Sequence, residues 1–209
     1  MIKKSSQILP PQYEQCGVIN IQQDPKKARM IAVANIWIFA VLLSVGFLIV
    51  PLRAALGSLD SVYGVALFML RFVVTIVAWM LYIPLHEFTH AMTMKGLGAV
   101  NIQFHVSWNY ACMGSKYSFF TRDTYRLIAL MPLAFWSPIF LLIAAGSPRE
   151  WFWPVWIVFA NHLSGSIVDI FVVWYVSKWD RDTLIQDTGF DVAVYRKKDR
   201  TNSFSQSNC

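Results

Sequence analysis

VYGVALFMLRFVVTIVAWMLYIPLHEFTHAMTMK, residues 62–95, decides how the rest of the chain is read. From Val62 to Leu85 the stretch is apolar apart from Arg71 and a few small or hydroxylated residues, and it is long enough to cross a hydrocarbon layer of about 30 Å as a helix. It does not stop at the end of that run. It continues through His86, Glu87, Phe88, Thr89 and His90 to Lys95, with Pro84 placed to kink it and Gly96 and Gly98 to end it. Two imidazoles and a carboxylate at membrane depth are costly unless they are paired or hold a metal. One helix therefore carries both the architecture and the chemistry.

Three other segments match its length and character: Ile31 to Leu52, Leu127 to Gly146 and Trp151 to Val176. With 56% hydrophobic and 14% charged residues, the composition excludes an ordinary soluble domain. The expected fold class is an all-α polytopic membrane protein with about four transmembrane helices and a small β-hairpin in the central cytoplasmic loop. The first span is a retained anchor, because a polar leader precedes it and its apolar run exceeds the roughly 7–15 residues of a signal-peptide core. The expected organisation is a leader over 1–30, a four-helix transmembrane domain over 31–177 with its hairpin loop at 100–121, and a tail over 178–209.

The net charge of +6 is read by its placement. Lys3, Lys4, Lys26, Lys27 and Arg29 precede the first span, and Lys95, Lys116, Arg122 and Arg126 lie between the second and third. Lys178, Arg181, Arg196, Lys197, Lys198 and Arg200 follow the fourth. By the positive-inside rule both termini and the central loop are cytoplasmic, in a cell membrane. The charge is a topology signal, and no nucleic-acid partner is expected. Arg71, inside the second span, reads as a snorkelling or helix-bonding cation. Cys16, Cys112 and Cys209, odd in number and widely spaced, give neither a disulfide framework nor a thiolate zinc site.

Between the second and third spans, Asn101 to Cys112 alternate polar or small with apolar residues, which predicts one strand, a turn at Gly114 to Lys116 and a return over Tyr117 to Phe120. Thr183 to Gln186 and Val192 to Tyr195 predict a strand-turn-strand unit around Asp187 to Gly189. The leader, broken by Pro10, Pro11 and Pro25, reads as loosely ordered, and residues 200–209 as disordered.

His86 and His90, at i and i+4, place two imidazoles on one helical face, with Glu87 between them as a general base; Zn²⁺ is the expected cofactor. A catalytic zinc needs a third protein ligand and an open position. Asp169, His162 and His105 are the candidates. Asp169 is favoured, because His86 precedes Lys95 by as many residues as Asp169 precedes Lys178, which sets both about 13 Å below the same face on two inward-running helices. His162 lies two turns before Asp169, roughly 10 Å away along the helix, too far to share an ion with it. It is then an alternative ligand, a supporting group behind the ligands or a substrate-side group, and Asn161 is a residue that orients substrate or ligand.

His86 to His90 on one span, with Asn161 and then Asp169 on another, resembles the site-2 protease group of intramembrane metalloproteases. In that group the late motif runs Asn-x-x-Pro and then Asp-Gly, and its Asp is the third zinc ligand; here Ser164 and Ile170 replace the Pro and the Gly. The spacing of Asn161, Gly165, Ser166 and Asp169, with Ala129 to Leu133 and the Asp187 to Tyr195 tail, more closely resembles an uncharacterised bacterial family of membrane zincin peptidases, from Val62 to Arg196. The resemblance implies a zinc metallopeptidase. The depth of the site points to hydrolysis of membrane-embedded or membrane-anchored proteins, with the lipid bilayer as surroundings. The alternatives are a non-catalytic zinc-binding scaffold and a metal transporter.

Overall fold

The computed structural model describes residues 5–21, 23–56, 59–107 and 110–198; the expectation for residues 200–209 lies outside these. Its elements are β1 (Tyr13–Ile19), α1 (Pro25–Ile49), α2 (Arg53–Leu56), α3 (Val62–Gly96), β2 (Ile102–Ser107), β3 (Tyr110–Ser115), β4 (Phe120–Thr121), α4 (Arg122–Gly146), α5 (Arg149–Gly165), α6 (Ile167–Ser177), β5 (Leu184–Asp187) and β6 (Val192–Lys197). Among the described residues four helical stretches are long and apolar enough to cross a membrane: α1, α3, α4 and the α5–α6 run. Leu48, Val62, Phe72, Leu81 and Leu142 stand exposed along them, an apolar surface that water does not tolerate and lipid does. The protein is a mostly helical membrane protein with small antiparallel sheets, as its sequence predicts.

Local chemistry sets the helix ends. Asp24 caps α1, its Oδ1 accepting the backbone N–H of Lys26 and of Lys27 at 3.1 and 3.2 Å. Ser61 does the same for α3 through the N–H of Gly64. At the other end of α3, Gly98 takes a left-handed φ of 92°, and Gly98 N–H and Ala99 N–H return to the carbonyls of Lys95 and Met94, a Schellman closure. The glycine ends α3 because φ is positive there.

The fourth apolar run is broken where one helix was expected. Ser166 separates α5 from α6, and both its N–H and its hydroxyl bond to the His162 carbonyl. Gly165 and the serines flanking it weaken helical continuity by competing for backbone bonds, which a hydropathy profile does not register. Asp169 consequently falls in the first turn of α6.

The central hairpin is real, but its turn is not at Gly114 to Lys116. β2 pairs with β3 antiparallel, Gln103 opposite Gly114, Phe104 opposite Met113 and His105 opposite Cys112. The single strand expected over Asn101 to Cys112 therefore reverses between Ser107 and Tyr110. Opposed residues in such a hairpin share a face, so an alternation that continues unbroken through the reversal changes phase relative to the sheet, and the pattern hides the turn. Phe120, expected to return in this hairpin, joins a different sheet.

That second sheet has the antiparallel order β1-β6-β5-β4. β5 and β6 occupy the predicted strand-turn-strand, turning at Gly189 with φ 89°. β1 corrects the reading of the leader as loosely ordered, since Tyr13–Ile19 pairs along β6 with a register shift between Gln15 and Gly17. Its sequence carries no clean alternation, and the ladder offered by β6 supplies what local propensity lacks.

The chain forms two compact units. Unit 1 takes Met1–Ala28, Glu87–Met131 and Asp169–Cys209; its core joins Ile19, Met94, Phe120, Ile128, Val176, Ile185 and Val194. Unit 2 takes Arg29–His86 and Pro132–Val168, with a core of Val50, Ala144, Phe152, Trp153, Trp156 and Phe159. Gly46 leaves room there for the Trp156 indole, which a Cβ would meet at 2.5 Å and whose Nε1–H donates to the Leu42 carbonyl.

Candidate metal centre

His86 and His90 stand one turn apart on α3. The imidazole of His90 is buried and held from both sides: Nδ1–H donates to the Ile128 carbonyl at 3.0 Å, and Nε2 faces Asp169 Oδ1 at 3.4 Å. A backbone carbonyl behind one ring nitrogen leaves the other with its lone pair forward, the arrangement metal-ligating histidines show. On His86 the Nδ1 atom meets the Tyr82 hydroxyl at 2.8 Å, so Nε2 is the nitrogen that could hold a metal. Asp169 enters from the first turn of α6, where the helix dipole favours a carboxylate.

Ligand atoms of His86, His90 and Asp169 all lie within 4.8 Å of one another. Two ligands on one tetrahedral ion with bonds of about 2.0–2.1 Å stand roughly 3.4 Å apart, the separation between His90 and Asp169. Two imidazoles and one carboxylate are also the donor set of a catalytic zinc with its fourth position open. The residues fit the ion.

Glu87, half-buried, follows His86 directly. Its carboxylate is felt by Cys112 on β3: burial pushes that thiol up to about 11, and the charges of Glu87 and Asp187 add to the shift. The hairpin strand thus brings Cys112 within electrostatic reach of Glu87.

Asp187 is the residue the sequence placed only in a turn. It accepts the Tyr125 hydroxyl at 2.6 Å and the Gly189 N–H at 2.8 Å. Burial raises its carboxyl above the ordinary range against those two hydrogen bonds, and the charges of His90 and Asp169 act on it. Nothing in the spacing of Asp187 sets it apart from other tail acids; the position comes from β5 pairing with β6.

The other candidates lie elsewhere. His162, 1% exposed, is held in unit 2 by Tyr82 and Ser137. His105 packs its ring 4.7 Å from Phe190, with a buried Nε2 that has no hydrogen-bond partner. Neither belongs to the metal cluster. Asn161 donates to the Ile157 carbonyl and lines an apolar cavity of about 370 Å³ with Arg71, Thr75 and Trp79. The Arg71 guanidinium lies 6.0 Å over the Trp151 ring, which answers the question its charge raised.

A multi-pass helical protein with a His-Glu-x-x-His turn on one helix and an acidic partner on another defines the class: a membrane protein of the zincin type. The family model described as "Putative zincin peptidase" matches residues 79–184, more than half of the chain and all of the residues just placed from His86 to Asp169, and the chain belongs to that family. No curated protein and no solved structure matches it.

Proposed function

We propose that the protein is an intramembrane zinc metallopeptidase that hydrolyses peptide bonds of membrane-embedded or membrane-anchored proteins. The convergence of His90 Nε2 and Asp169 Oδ1 at 3.4 Å, one turn from His86, carries the reading. His86, His90 and Asp169 would hold the ion, which when bound supplies Lewis acidity and a lowered water pKa. Glu87, next to a ligand and half-buried, takes the proton from the attacking water and returns it to the leaving amine. The Ile128 carbonyl keeps His90 from rotating. A substrate helix has to unwind to expose a carbonyl, and the outer edge of β2 offers it backbone partners. Asn161 and its cavity accommodate the part of the substrate that remains in the membrane. The basic flanks place both termini, the central loop and the near end of the site on the cytoplasmic side of the cell membrane.

Metal analysis of the purified protein beside His90→Ala and Asp169→Ala tests the centre, with one zinc per chain expected in the wild type and loss in both variants. Glu87→Gln keeps the zinc and loses about 10²–10⁴-fold in peptide hydrolysis; membrane-protein fragments compared between cells carrying wild type and variant give the readout. If zinc is present and the fragments are identical, the protein is a zinc-binding scaffold. Zinc uptake into sealed vesicles would instead make it a transporter.

A further inference from the structure

We infer that Tyr82, His162 and Ser137 form a positioning relay that holds His86 in the tautomer able to ligate a metal through Nε2, an inference that rests on the metal reading above. The Tyr82 hydroxyl touches two imidazoles at once, meeting Nδ1 of His86 at 2.8 Å and Nδ1 of His162 in a short hydrogen bond. The far nitrogen of His162, Nε2, meets Ser137 Oγ at 3.0 Å. Four side chains from α3, α4 and α5 therefore form one hydrogen-bonded row inside unit 2.

A neutral imidazole has one donor nitrogen and one acceptor nitrogen, and a hydroxyl has one proton to donate, so two polarities run through the row from end to end. In the first, His86 Nδ1–H donates to Tyr82, Tyr82 donates to His162 Nδ1, and His162 Nε2–H donates to Ser137. His86 Nε2 is then the unprotonated nitrogen. In the second every bond reverses, His86 keeps its proton on Nε2 and cannot ligate. A metal on His86 selects the first polarity, and the row in turn favours the metal by giving each proton an acceptor.

The surroundings make the row rigid. His162 is 1% exposed and Tyr82 7%, so water does not compete for the bond between them. The Tyr82 ring sits edge-on to Trp136 at 5.8 Å and to Phe140 at 5.3 Å. Phe140 and Phe159 flank His162 at 5.7 and 6.3 Å. His162, weighed in the sequence as a ligand itself, acts on the metal through Tyr82.

Competition between the full-length protein and a chromophoric chelator for Zn²⁺ tests the relay. Tyr82→Phe deletes one oxygen, and His162→Ala removes the second imidazole; each is expected to weaken zinc binding about 10–100-fold, measured well below the unfolding midpoint of each metal-free variant. His162→Asn, whose side-chain oxygen can accept from Tyr82, recovers part of the loss, which a merely space-filling role would not allow. A zinc-binding wild type matched within about twofold by both Tyr82→Phe and His162→Ala overturns the relay alone. A wild type that binds no zinc, and so cannot be told from His90→Ala, overturns the metal reading and the relay with it.

Discussion

Cys112 reports on the acidic side chains around the centre. Reactivity belongs to the thiolate, so a thiol held near 11 by burial and by the charges of Glu87 and Asp187 is slow at neutral pH. Alkylation of the metal-free folded protein at pH 8, followed by mass spectrometry of the Cys112 peptide, is expected to run about 100-fold slower than in the unfolded chain, because each unit of pKa is a factor of ten in thiolate. Glu87→Gln removes one of the charges and speeds it. Asp187 is shifted in the same direction by the same leading cause, burial. Its carboxyl is raised on folding, so its contribution to stability is complete at low pH and lost as pH rises through the folded value. Tyr125→Phe takes away the 2.6 Å hydrogen bond to that carboxyl and is expected to cost about 1–3 kcal/mol once Asp187 is ionised, and less in acid, as read from unfolding in detergent across a pH series. At this scale the sequence was informative where a motif has fixed spacing. His86, Glu87 and His90 needed only one helical turn, and Asp169 needed only equal depth on two helices. Asp187 was not legible because its place depends on a strand pairing, and the link from His162 to His86 was not because it runs through the hydroxyl of Tyr82, which reads in the sequence as one more aromatic of an apolar span.

Elements were legible in proportion to how much of their stability is local. α1, α3 and α4 follow from apolar length alone, and the closure of α3 from its glycines. The break at Ser166 did not, because small polar residues inside an apolar run are visible to the backbone and not to a hydropathy average. The reversal between β2 and β3 escaped an alternation count, and β1 has no pattern of its own. Gly114 gives the hairpin a test. A Cβ there would lie 2.1 Å from the backbone nitrogen of Gly189 and 2.2 Å from the Thr188 carbonyl carbon, so Gly114→Ala has to push β3 off the β5–β6 turn. A loss of about 1–3 kcal/mol is expected, in the range of overpacked sites. The same displacement would expose Cys112, so its alkylation should speed up in step with the loss of stability; unchanged labelling in a destabilised variant would show that the strand had not moved.

For the whole molecule the charge pattern and the sheet make separate statements about topology. The basic flanks predict that both ends and the central loop face the cytoplasm. Pairing of β1 with β6 requires only that the stretches before α1 and after α6 lie on one side, which an even number of crossings satisfies. Reporter fusions after Asp60 and after Arg149 are expected to read external, and fusions after Lys116 and Lys178 cytoplasmic; an odd count of crossings is incompatible with the sheet. The same pairing also sets an order in time. β1 leaves the ribosome before α1, while its partner follows roughly 180 residues later, a delay of about 10–40 s at ordinary translation rates of roughly 5–20 residues per second. Through that interval β1 has no ladder to join, so the four-stranded sheet cannot close until β6 has been made. A stalled chain ending before Val192 should leave Tyr13–Ile19 open to protease, and release of the β6 segment should protect it.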